Sequence, residues 1–141
     1  MRKMSRLHRP LPWLLMAALL PIAASAQDSL SGAEFDSYSR GKTFYYGAGG
    51  QPYGAEEYFS DRRVIWSFLD GHCQEGRWYE DQGNICFVYD EHPDPQCWRF
   101  RLGATGLTAQ FQGPSEGGTS PLYEIQSSPE PMTCEGPEVG V

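Results

Sequence analysis

Between residues 42 and 126 the chain rarely runs more than a few residues without a turn signal. That punctuation limits the fold more than any other feature. Runs rich in β-branched and aromatic residues occupy 42–46, 53–59, 63–69, 76–80, 85–90, 96–102, 107–112 and 122–126, separated by breaks rich in Gly, Pro, Asn and Asp. Such spacing gives about eight short strands and leaves no room for long helices. The expected fold is mainly β, a small antiparallel meander closed into a barrel or strongly twisted. One short N-terminal helix is expected over 32–39, because Ser31 and Glu34 match the capping-box spacing. It would bury Phe35 and Tyr38 and stop at Gly41.

Residues 1–26 read as an address rather than as part of the fold. Arg2, Lys3, Arg6 and Arg9 form a basic leader, an apolar stretch follows, and Ala24-Ser25-Ala26 supplies the small-x-small cleavage pattern. The apolar run is short and is interrupted by Pro12 and Pro21, so a stable membrane anchor is not expected. Cleavage would leave 27–141 as a single disulfide-stabilised β domain of 115 residues. The leader carries four positive charges and no negative one, so the formal charge falls from -7 to -11 on its removal. So acidic a chain lacks the basic stripe that nucleic acid requires.

All four cysteines, Cys73, Cys86, Cys97 and Cys134, follow the leader. An even number in a small exported domain reads as two disulfides, with three connectivities open. A reversal at 91–95, marked by Pro93 and Pro95, would set the strands on either side of it antiparallel. With the hairpin centred between Glu91 and His92, Cys86 lies opposite Cys97, close enough for a bridge. Cys73–Cys134 would then tie the Pro/Gly-rich segment 113–141 back onto the body. In that register Ile85, Phe87 and Tyr89 share a face with Trp98, Phe100 and Leu102, while Arg99, Arg101 and the bridge take the other. The cysteine spacings do not suit zinc.

Candidate chemistry is sparse. Gly41-Lys42-Thr43 resembles the end of a phosphate loop, but Asp36 stands where the pattern needs Gly, so it reads as helix stop and strand start. Asp70, His72 and Glu75 cluster near a turn, and Asp90, Glu91, His92 and Asp94 form a hydrophilic hairpin tip without calcium-loop spacing. No catalytic residue, metal site or cofactor is expected. The aromatic excess is more suggestive. Trp66, Trp78, Trp98, Tyr53 and Tyr58 are the candidate ligand-binding residues, lining a barrel mouth or a flat patch.

In order, Leu30-Ser-Gly-Ala-Glu34, Gly41-Lys42-Thr43, Tyr58-Phe59, Gly76-Arg77-Trp78, Ile85-Cys86-Phe87 and Cys97-Trp98 form a pattern that resembles a family of small exported bacterial domains of unknown function. The likeness covers residues 30–102. It implies a compact, lipocalin-like β fold outside the cytoplasm and brings no activity with it.

The function expected from these readings is a non-catalytic periplasmic or secreted binding or interaction domain. It would be a monomer whose partner is an envelope protein or a small apolar or glycan ligand. The alternatives are an inhibitor of a basic hydrolase such as lysozyme, or a hydrolytic enzyme using the carboxylates and His72.

Overall fold

The structure is a computed structural model and describes residues 28–114 and 120–134. The proposed leader lies outside the described residues, as do parts of the C-terminal segment. Helix α1 (Gly32–Ser39) is followed by eight strands: β1 (Thr43–Ala48), β2 (Gln51–Tyr58), β3 (Arg63–Ser67), β4 (Gln74–Asp81), β5 (Asn84–Tyr89), β6 (His92–Gly103), β7 (Gly106–Phe111) and β8 (Leu122–Ser128). Each pairs antiparallel with its sequence neighbour, and β8 returns to β1, closing an up-and-down barrel. The expected mainly β meander with one short helix is what the chain forms.

Alternation puts one side of every strand inside. Phe44 and Tyr46, Val64 and Trp66, Ile85, Phe87 and Tyr89, Phe100, Leu107 and Ala109 are all buried. An eight-stranded barrel leaves an interior just wide enough to fill with side chains or to hold one small ligand. Helix α1 decides how one end is filled. Its capping box forms between Ser31 and Glu34, and Glu80 Oε2 accepts from the Gly32 N–H at 2.6 Å. Phe35 thereby drops into the barrel, edge-on to Tyr58 and Trp78 at 5.4 and 5.2 Å and beside Phe100 at 4.6 Å. Gly41, at φ +73°, ends the helix as expected, whereas Tyr38 is only half-buried.

Both expected disulfides are present, Cys86–Cys97 across β5 and β6 and Cys73–Cys134 across the fold. Cys86 does stand opposite Cys97, but the reversal is displaced from its expected place. The tight turn is at Asp90-Glu91, where Tyr89 pairs with His92, and a bulge restores the cysteine register. Pro93 and Pro95 lie within the first part of β6. Among the described residues they have no ladder partner, so their lack of an N–H costs nothing there. Similarly, the break expected between the runs 42–46 and 53–59 shrinks, because β1 runs on to Ala48, β2 starts at Gln51 and only Gly49-Gly50 turn, both at positive φ.

Where it is described, the C-terminal segment is held against the body of the barrel. Thr43 Oγ1 donates to the Glu130 carbonyl at 2.9 Å, and the Met132 N–H donates to Glu57 Oε2 at 3.0 Å. Cys134 completes the strap. Among the described residues, no helix is long and apolar enough to cross a membrane.

Candidate functional site

With α1 plugging one end, the other end of the barrel stays hollow. A cavity of about 230 Å³ opens there, between the ends of β1, β3, β5 and β7 and the starts of β2, β4, β6 and β8. Its wall is aromatic, built chiefly from Tyr46, Trp66, Phe87, Tyr89 and Trp98. Tyr53, 38% exposed, and Phe68, 51% exposed, stand at the rim, where each ring packs against Trp66.

Two glycines make this wall. A Cβ on Gly54 would fall within the Trp66 indole and 2.8 Å from the Ser67 carbonyl oxygen. One on Gly76 would lie 2.5 Å from the Val88 carbonyl oxygen and 2.7 Å from Tyr89 Cδ1. The two rings therefore lie flat across neighbouring strands only because these positions lack side chains. Gly54→Ala is expected to cost about 1–3 kcal/mol, the usual range for overpacking. It should also change the near-ultraviolet circular dichroism of Trp66. Unchanged stability together with an unchanged spectrum would contradict this packing.

The polar lining residues are Glu56, Gln74, His92 and Gln96, and of these Glu56 is the buried carboxyl, only 3% exposed. It reaches the interior because it stands two residues before Tyr58 on β2 and so shares its inward face. Tyr89 Oη donates to Glu56 Oε1 at 2.7 Å and Tyr58 Oη donates to Oε2 at 2.9 Å. Tyr58 has a single hydroxyl hydrogen, so with Glu56 ionised it is Tyr46 that donates in the 2.9 Å pair with Tyr58. Burial outweighs these bonds and pushes the Glu56 carboxyl up to about 8. Burial first, and then the Glu56 charge, push the hydroxyls of Tyr58 and Tyr89 well above the ordinary phenol range. The same order of causes holds for Tyr46. All three hydroxyls stay protonated.

The structure brings three of the five expected ligand-binding residues together and separates the other two. Tyr53, Trp66 and Trp98 line the cavity. Tyr58 and Trp78 pack against Phe35 toward the helix end instead, with Arg62 over the Trp78 ring. Residues of alternating strands differ in height along the barrel, so an aromatic at the helix end becomes core.

Glu56 was missed, because two adjacent glutamates in a strand read as solvated. The available signal was its i, i+2 relation to Tyr58. Asp70, His72 and Glu75 do not converge. All are exposed, the Asp70 carboxylate accepts from the His72 N–H, and the His72 ring pairs with Glu91 at 3.0 Å.

A scan for family models and searches of curated proteins and of solved structures each returned no match. The site is therefore interpreted from its own geometry.

Proposed function

We propose that this is an exported, non-catalytic binding domain that holds one small, largely apolar molecule in the open end of its barrel. The carrying observation is the division of the interior, packed by Phe35 at one end and left as an aromatic cavity of about 230 Å³ at the other. This is the arrangement expected of a lipocalin-like barrel. The volume sets the scale. An apolar cavity of about 150 Å³ accommodates benzene, so this one suits a molecule of one ring or a short branched chain. Two disulfides fit a protein that works in an oxidising compartment, periplasmic or secreted. The resemblance to small exported domains points the same way.

Titration with toluene tests the reading, followed by tryptophan fluorescence and thermal unfolding. Saturable quenching and a rise in Tm of several degrees are expected, since a ligand bound only by the folded state stabilises by mass action. Ala109, buried in the β7 wall of the cavity, offers the control. Ala109→Leu fills the space and should abolish both signals. Toluene that neither quenches nor stabilises up to its solubility limit would remove the proposal.

A further inference from the structure

A cavity meant only for hydrocarbon would be served by leucine where Glu56 stands. A buried carboxyl costs several kcal/mol to ionise away from water, and it offers a purely apolar guest nothing in return. The group it does favour is a positive charge. The surroundings agree with that choice. Among the described residues lining the cavity there is no lysine or arginine. The wall is built of rings whose electron-rich faces attract cations. The hairpin that brings His92 to the rim also carries Asp90, Glu91 and Asp94, all exposed, so the field at the entrance draws cations in.

We propose that the cavity selects small ligands bearing a compact ammonium group, seated among Tyr46, Trp66, Tyr89 and Trp98 and paired with the Glu56 carboxylate. This rests on the cavity being the binding site, and it adds the chemical class of the ligand. The tyrosine chain suits the role. With Glu56 ionised, Tyr89 and Tyr58 donate to its two oxygens and Tyr46 donates to Tyr58, which leaves further lone pairs on the carboxylate for the guest. With Glu56 protonated, its own hydrogen turns to Tyr58 and Tyr58 turns to Tyr46. Entry of a cation below about pH 8 therefore expels one proton, from Glu56 to solvent. The other titratable groups in reach are Tyr46 from β1, Tyr53 and Tyr58 from β2, Tyr89 from β5 and His92 from β6, with Glu124 of β8 and Tyr38 of α1 acting on Tyr46.

Choline and 3,3-dimethylbutan-1-ol test the proposal, because they share shape and hydroxyl and differ in charge. Calorimetry at pH 9 should show choline bound about tenfold or more tightly than the alcohol, an advantage in the range of a desolvated cation–ring contact and a paired charge. Below about pH 8 the choline affinity should fall by up to tenfold per pH unit, while that of the alcohol stays flat. At pH 7 the choline heat should vary with the ionisation enthalpy of the buffer, reporting one released proton. Glu56→Gln should lose the preference, the pH dependence and the proton release, and keep the alcohol.

Equal affinities, or a preference for the alcohol, would overturn the ammonium proposal and leave the binding function standing. A pH dependence surviving in E56Q would place its source outside Glu56 and overturn the proposal as well. If toluene binds and choline does not, the proposal alone fails. If nothing binds, both readings fail.

Discussion

Glu56→Gln is expected to stabilise the protein at pH 8 and to flatten the fall of stability with rising pH. The sign follows from proton counting. The folded-state carboxyl is raised from its ordinary 4.5 to about 8, so between those values the folded protein holds a proton that the unfolded chain has lost. The contribution of Glu56 to stability is therefore fullest below about pH 4.5, declines as pH rises through the window, and stops declining above about 8. A shift of this size corresponds to roughly 3–5 kcal/mol across the window, a large part of the total stability of a small domain. Glutamine keeps the hydrogen-bond geometry, accepting from Tyr89 through its oxygen and donating to Tyr58 through its amide, and it never ionises. Urea unfolding of both proteins at several pH values checks this. The curves should converge near pH 4.5 and separate by pH 8. Parallel curves would mean that Glu56 is solvated in the folded protein, and the polar half of the site would fall with it.

Removing the Cys73–Cys134 bridge as the double variant C73S/C134S is expected to cost about 4 kcal/mol. The bridge closes a sequence separation of 61 residues, and on the chain-entropy account long loops restrict the unfolded chain most. By the same account Cys86–Cys97, with a separation of 11, contributes about 3 kcal/mol. The longer bridge also holds the strap that rests on Thr43 and Glu57. Its loss should therefore speed hydrogen exchange at the Met132 amide before global unfolding. A cost below about 1 kcal/mol with unchanged protection of that amide would show that the strap stays down without its covalent tie.

The fold was legible because its signals are local. All eight strands lie where runs such as Val64-Ile65-Trp66 and Ile85-Cys86-Phe87 sit between turn residues. Backbone stiffness and period-2 alternation act over a few residues at a time. The cysteine register was legible for the same reason, since a hairpin ties residue 86 to residue 97 over a sequence separation of 11. The turn inside that hairpin was misplaced because prolines mark breaks in most contexts. Here they occupy a stretch of β6 without ladder partners.

The site was legible only in part. Composition identified aromatics in excess, and of those it marked, Tyr53, Trp66 and Trp98 line the cavity. It also gave equal weight to Tyr58 and Trp78, which pack under α1. Nothing in a strand's own residues says which of its ends the helix will plug.

The amino-acid order by itself determined the strands, the short helix with its cap and the pairing of the sulfurs, because each follows from contacts between near neighbours or from the closure of one hairpin. Barrel closure decided the rest. Only when β8 meets β1 does one interior exist, with Phe35 filling one end and a hollow at the other. Only then does Glu56 meet Tyr89, thirty-three residues away in sequence, and lose the water that would have held its carboxyl near the ordinary value. Desolvation belongs to the assembled interior and to no segment of the chain, so the chemistry of this cavity is a tertiary property.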